Sequence, residues 1–284
     1  MMSIFENNII SIYRESGKKW LESLPKQVEQ LELLWGLSQL KPIDNLTYNY
    51  VLSGLQGDIP IILKLSPNAL DLDKEANALV AFKGFGGVSV LNRKGTALLL
   101  QRALPGQPLK DYSLKNGVKN IEIACKVVKK LHQAPLSKDS NFPHIEDWLA
   151  TLDKEWELPG DYLQKARTLK KQLLQNTTQL PVLLHGDLHQ DNILAHGDDW
   201  LVIDPKGVIG FPINEIWACV EEPRYDLEYI SEYFNYKFDD VTKWYYVHAV
   251  LAACWQAEDN LDPTRFLNLA ESITPMMKYS NELF

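Results

Sequence analysis

The segment LLHGDLHQDNIL, Leu183 to Leu194, followed by WLVIDPKGVIG, Trp200 to Gly210, constrains this chain more than any other stretch. Two aspartates, an asparagine, two histidines and a glycine stand between apolar runs, and Asp204 ends the second run. Polar groups beside buried strands cost free energy unless a ligand, a metal or water satisfies them. Gly186 permits a tight turn and, with Asp187, disfavours a helix. The segment therefore reads as a polar loop between short strands.

Each polar group has a chemical use. Asp187 could accept a proton from a hydroxyl as a general base. Asn192 could bind magnesium through its amide oxygen, and Asp204 is placed for a second magnesium ligand. An aspartate, an asparagine five residues on and a strand-borne aspartate twelve further is the order of parts in kinase phosphoryl transfer. Other readings stand beside this one. His185 and His189 have the spacing of two zinc ligands on a helical face, but Gly186 opposes that helix and no Glu follows the first His. A plain structural loop would account for DLHQDN, but not for the strand that ends in Asp204.

Lys64 lies inside the apolar run IPIILKL. It reads either as a charge on an exposed edge strand or as a buried ammonium that needs a partner. Glu75, on the following amphipathic stretch LDLDKEANALVAFKG, can supply that partner and so hold the ammonium against nucleotide phosphates. Ala76, Leu79, Val80 and Phe82 mark the apolar face of this predicted helix. GFGG, Gly84 to Gly87, follows a helix and not a strand, so it reads as a helix stop more than as a phosphate cradle.

The wider pattern is β-rich and then α-rich. Residues 1 to about 40 read as helical, with Pro25 breaking the segment into two helices. TYNYVLSG, IPIILKLS, VSVLNR and TALLLQRAL read as an antiparallel sheet. KNIEIACKVVKKLHQ, IEDWLATLDKEWE, DYLQKARTLKKQLLQ and most of the chain after Asn214 read as helices. The expected division is an N-terminal lobe over 1–100, a hinge over 101–106 and a helical C-terminal lobe over 107–284.

Charge is uneven along the 284 residues. From 201 to 284 there are 14 Asp and Glu against 6 Lys and Arg, which accounts for the whole formal charge of −8. An acidic second half argues against nucleic acid as a partner and suits a cationic small molecule. No apolar run is long enough to span a membrane, and no signal peptide is read at the start. Cys125, Cys219 and Cys254 are odd in number and widely spaced, as in reduced thiols of a cytoplasmic protein.

LLHGDLHQDNIL with WLVIDPKGVIG resembles the aminoglycoside phosphotransferases, and more narrowly their streptomycin 6-kinase and hydroxyurea-resistance kinase branch. LTYNYVL, LKL, KEANAL, LLLQRALPG, KLH and EPRYDL extend the resemblance over roughly residues 40 to 260. The resemblance implies an α+β, protein-kinase-like bilobal fold and MgATP-dependent phosphorylation of a hydroxyl on a cationic substrate such as streptomycin. It implies a role in antibiotic resistance, and a cytoplasmic monomer is expected. Lys64 would contact the α- and β-phosphates with Glu75 orienting it. Gln101, Arg102, Ala103 and Leu104 would offer backbone groups to adenine. Asp187 would be the base, and Asn192 and Asp204 would ligate magnesium. Asp226 would brace the catalytic loop, and His185 would be structural. There is no G-x-G-x-x-G loop over the phosphates, and Asp-Pro-Lys-Gly replaces Asp-Phe-Gly, so no activation-loop switch is expected.

For the acceptor, Glu221, Glu222, Glu258 and Asp259 are candidate partners of guanidinium or ammonium groups, and Trp255 a candidate aromatic wall. Their bland alternatives are a solvated helix end for Glu258 and Asp259 and a core position for Trp255. Kinases of this shape also act on choline, methylthioribose, fructosamines and homoserine. A nucleotide-binding pseudokinase is the alternative of another class.

Overall fold

The computed structural model describes residues 2–44, 46–116, 119–136 and 141–277. Helix α1 (Ile4–Trp35) leads into strands β1 (Leu37–Pro42), β2 (Tyr50–Gln56) and β3 (Ile59–Leu65), helix α2 (Ala69–Ala81), and strands β4 (Val90–Lys94), β5 (Ala97–Gln101) and β6 (Pro105–Pro108). Helices α3 (Leu109–Asn116), α4 (Asn120–Leu131), α5 (Ile145–Leu149) and α6 (Gly160–Asn176) follow. Then come β7 (Val182–Leu184), β8 (Ile193–His196), β9 (Asp199–Val202) and β10 (Val208–Gly210), and helices α7 (Pro223–Phe234), α8 (Phe238–Glu258) and α9 (Thr264–Ile273).

Contacts divide the chain into two units. The first runs to Gln107 and takes in Leu194–Pro205; the second holds Pro108–Ile193 and the chain from Lys206 onward. Leu194–Pro205 thus falls in the first unit, although the expected C-terminal lobe ran unbroken from 107. Backbone bonds explain this: Val88 N donates to Val202 O (3.1 Å), Val202 N to Gly86 O (2.8 Å) and Gly197 N to Leu104 O (2.8 Å).

The first unit is built on an antiparallel sheet of order β1-β2-β3-β5-β4. Side chains alternate across it, as the pleat requires. Ile61, Leu63, Leu65, Ala97 and Leu99 pack with Phe5, Ile9, Leu24, Leu31 and Trp35 of α1. Leu98 and Leu100 point the other way, toward Leu72, Ala76 and Leu79 of α2. Covering both faces accounts for the unbroken apolar run in β5, where each buried leucine contributes roughly 1.5–3 kcal/mol. Three expectations are corrected here. The irregular point of α1 is Arg14 (φ 52°, ψ −124°), and Pro25 lies inside the helix. Proline takes helical φ at the loss of one backbone bond, and buried Leu24 and Leu31 hold that stretch on the sheet. The helix also stops at Gly36 (φ 62°), so residues 37 to about 40, read as helical, belong to β1. Val80, expected on the buried face of α2, is exposed.

The second unit is organised by α8, which is buried on nearly every side from Val241 to Cys254. A helix apolar all round is a core helix, and α6, α7 and α9 pack on it. Strand β7 pairs antiparallel with β10, Leu184 opposite Val208, and this pairing holds the polar loop after Leu184. Among the described residues, no helix is long and apolar enough to cross a membrane.

Burial of His248 on α8 lowers its pKa from 6.5 to about 3, with Glu215 opposing weakly. Above pH 6.5 neither the folded nor the unfolded imidazole is protonated, so the group adds no pH dependence. As pH falls from 6.5 toward 3, the unfolded chain takes up a proton that the folded chain refuses. Stability should then fall by up to about 1.4 kcal/mol per pH unit. The His248→Gln variant should show a flatter dependence of its urea midpoint on pH over that window. Parallel curves for the two proteins would show that His248 carries none of the acid sensitivity.

Candidate active site

In the first unit, Lys64 sits in β3, the central strand of the five, and is 4% exposed. The edge-strand reading is therefore excluded. The alternation that sends Leu63 and Leu65 toward α1 sends Lys64 to the α2 side. There Lys64 Nζ donates to Glu75 Oε2 (2.7 Å) and to Asp204 Oδ1 (2.8 Å). Burial works against its charge, but Asp204 and then Glu75 outweigh it and hold the ammonium above the usual lysine range. Glu75 shows the converse. Burial, the largest influence, pushes its carboxyl up to about 7, Lys64 offsets only part, and Asp204 adds to the rise. Among the described residues Glu75 Oε1 has no hydrogen-bond partner.

Asp204 follows β9 and adopts φ 59°, a left-handed value rare outside glycine. Pro205 behind it restricts this residue further. Such strain gathers where a side chain's direction matters more than local comfort. At the other end of the unit, Gln101 N donates to Ser89 O, Arg102 N to Pro60 O and Leu104 N to His196 Nδ1. Across Gln101–Leu104 only the backbone N–H of Ala103 is left without a partner among the described residues.

The polar loop belongs to the second unit. Gly186 has φ 83°, and a Cβ there would lie 2.8 Å from the Trp148 ring, so only glycine fits. His185 is fully buried, its carbonyl accepts from Lys206 N (2.8 Å) and Gly207 N (3.1 Å), and its Nδ1 accepts from Asp187 N (3.3 Å). Residues 185–189 are not helical, so His185 and His189 share no helical face for zinc. Asn192 Nδ2 donates to Asp187 O (2.9 Å), which leaves Asn192 Oδ1 to accept or to coordinate. The Asp187 carboxylate is half exposed, with Lys206 Nζ 3.7 Å from Oδ2.

Sequence reasoning missed what braces this loop. His185 N and Gly186 N donate to Glu215 Oε2 (2.6 Å) and Oε1 (3.1 Å). Burial of Glu215 opposes ionisation, yet His132, 3.5 Å away, His185 and the Gly186 N–H outweigh it and hold its carboxyl below the usual range. Asp226, expected to brace the loop, instead accepts from the backbone N–H groups of Glu221 (2.7 Å) and Glu222 (2.9 Å). The only sequence trace of Glu215 is an acid inside the apolar stretch INEIW.

A cavity of about 490 Å³ opens beside the loop within the second unit. Asp187, Asp191, Glu221, Trp217, Trp255 and Arg265 are in its wall. Trp255 stands edge-on to Trp148, the ring behind Gly186. Trp217 stacks flat on His248. Glu222, Glu258 and Asp259 are not in this wall. Glu222 is paired with Lys119 (2.8 Å) and Glu258 with Lys154 (3.3 Å).

Asp204 in the first unit offers a carboxylate and Asn192 in the second an amide oxygen, each by itself an oxygen ligand of the type magnesium prefers. Two carboxylates share one ammonium around Lys64, and among the described residues Glu75 Oε1 has no hydrogen-bond partner, so the cluster keeps an oxygen able to accept.

The model of the aminoglycoside/hydroxyurea antibiotic resistance kinase family matches residues 49–260. The chain is similar to a streptomycin 3''-kinase of Klebsiella pneumoniae, 30% identical over 57% of this chain and 60% of that one, so the match spans less than two thirds of that relative. It is 23% identical to a streptomycin 6-kinase of Streptomyces glaucescens over 92% of each chain. A thermostable mutant of aminoglycoside phosphotransferase APH(4)-Ia, crystallised with ADP and hygromycin B, superposes with a TM-score of 0.69 at 14% identity, covering 86% of this chain and 96% of that one. The fold is thus that of aminoglycoside phosphotransferases, an α+β, protein-kinase-like fold.

Proposed function

The chain belongs to the aminoglycoside/hydroxyurea antibiotic resistance kinase family, and from that premise we propose that it transfers the γ-phosphoryl group of ATP to a hydroxyl of a small cationic molecule, an aminoglycoside such as streptomycin. The observation that carries this reading is the buried ammonium of Lys64 held between Glu75 and Asp204. A chain gains no stability from burying a lysine between two acids when an apolar residue would serve. It gains a fixed positive charge for phosphate oxygens.

Lys64 would neutralise the α- and β-phosphates, with Glu75 keeping it in place. Ala103 N–H is the free donor for the adenine edge. Asp204 and Asn192 would hold magnesium, which when bound screens phosphate charge. Asp187 would take the proton of the acceptor hydroxyl while that oxygen bonds to the γ-phosphorus. The bond from that phosphorus to the bridging oxygen breaks, and ADP leaves. Catalysis here is positioning and electrostatics. Glu221 and Asp191 would attract the acceptor's cationic groups, and Trp255 and Trp217 would give it flat walls.

Arg265 in the same wall favours a second reading, in which the acceptor is a metabolite that is not wholly cationic. The test is ADP release from MgATP with streptomycin, other aminoglycosides, choline, methylthioribose, sugar amines and homoserine. Turnover with streptomycin is expected. Turnover confined to a metabolite would keep the kinase and replace the substrate. Bound MgATP with no turnover across the panel would favour a pseudokinase.

A further inference from the structure

A buried amide network ties the loop of Asp187 to the cavity wall. Asn120, the first residue of α4, is 6% exposed, as is Gln190 of the loop. One nitrogen of Asn120 serves two acceptors, Gln190 Oε1 and Glu221 Oε2 (3.1 Å). Gln190 Nε2 donates to Cys219 O (3.1 Å), and Cys219 Sγ donates to Leu188 O (3.1 Å), back in the loop. The orientations lock one another. A carboxylate only accepts, so the nitrogen of Asn120 must face Glu221. Gln190 must then present its oxygen to that nitrogen and its own nitrogen to Cys219. The backbone of Glu221 is fixed separately by Asp226.

We propose that Asn120 is a positioning residue that couples acceptor recognition to the catalytic loop: one amide group holds Gln190, two residues before Asn192, and aims Glu221 at the cationic group of the acceptor. This rests on the kinase reading above for the roles of the loop and of Glu221. Its energetic reason is that a buried amide whose partner is removed loses its bond and keeps its desolvation cost.

The test is a steady-state series with MgATP and streptomycin, run well below each variant's melting temperature. Glu221→Gln should raise the streptomycin KM roughly tenfold or more and leave kcat and the ATP KM near wild type. Gln190→Ala should lower kcat by a similar factor with little change in the streptomycin KM. Asn120→Ala should do both, and the Asn120→Ala, Gln190→Ala double variant should lose no more kcat than the worse single variant. A loss of kcat in the double variant equal to the product of the single losses would overturn the coupling, as would an Asn120→Ala variant that melts lower but keeps wild-type kinetics. Amide hydrogen exchange in the resting protein separates this from failure of the kinase reading, since it needs no acceptor. Asn120→Ala and Gln190→Ala should each speed exchange of residues 187–192 tenfold or more, and Glu221→Gln should not. Unchanged exchange there would overturn the proposal whether or not streptomycin is a substrate.

Discussion

Asp187→Asn is expected to lower kcat about a hundredfold to ten-thousandfold, the usual range for losing a positioned general base. The ATP KM should change little, because Lys64 and Glu75, and the neighbours of Ala103, Arg102 and Leu104, are held by bonds that do not involve Asp187. The fold should tolerate the change. The carboxylate is half exposed, and Lys206, itself largely exposed, lies 3.7 Å from it. The bonds that shape the loop run through the Asp187 backbone and not its side chain. A stability change within about 0.5 kcal/mol is therefore expected from chemical denaturation. An Asp187→Asn protein with wild-type turnover would remove Asp187 from the chemistry.

Lys64→Met should be costly in two ways. Removing one partner of a buried ion pair leaves an uncompensated charge, at a cost of about 3–5 kcal/mol. Glu75 is 8% exposed, and among the described residues Lys64 is the cation that lowers its pKa, so it will take up a proton in this variant and recover part of that loss. The urea midpoint should fall at neutral pH. In the fraction that stays folded, the ATP KM should rise and kcat should drop, since phosphate charge is no longer met. Steady-state kinetics at saturating acceptor separates the two effects. A folded Lys64→Met with an unchanged ATP KM would mean that Lys64 serves stability and does not touch the nucleotide.

Sequence made these two residues legible for physical reasons. A lysine in an alternating apolar strand must be paired or at an edge, and Glu75 lay within reach on the next helix. Asp187 and Asn192 stood in a polar loop that folding alone does not require, and Asp204 stood at the end of an apolar run. Other parts depend on long-range packing that spacing cannot reveal. Glu215 is 30 and 29 residues from the two backbone N–H groups it binds. Asn120 is 70 residues from Gln190. Glu221 and Glu222 are neighbours in sequence, yet the turn that Asp226 fixes sends Glu221 to the cavity and Glu222 to Lys119. The irregularity of α1 at Arg14 likewise has no local signature, whereas Pro25 has one and lies inside the helix.

Transfer of phosphate to an acceptor hydroxyl is read from the mass of streptomycin recovered after incubation with MgATP and the wild-type protein, beside the same incubation with Asp187→Asn. Streptomycin should gain one phosphoryl group with the wild type, matched by ADP formed, and stay unmodified with the variant over the same time. Streptomycin recovered unmodified from the wild type, with ATP intact, would contradict the assignment of streptomycin as acceptor. An equal yield of phosphorylated streptomycin from both proteins would contradict the mechanism.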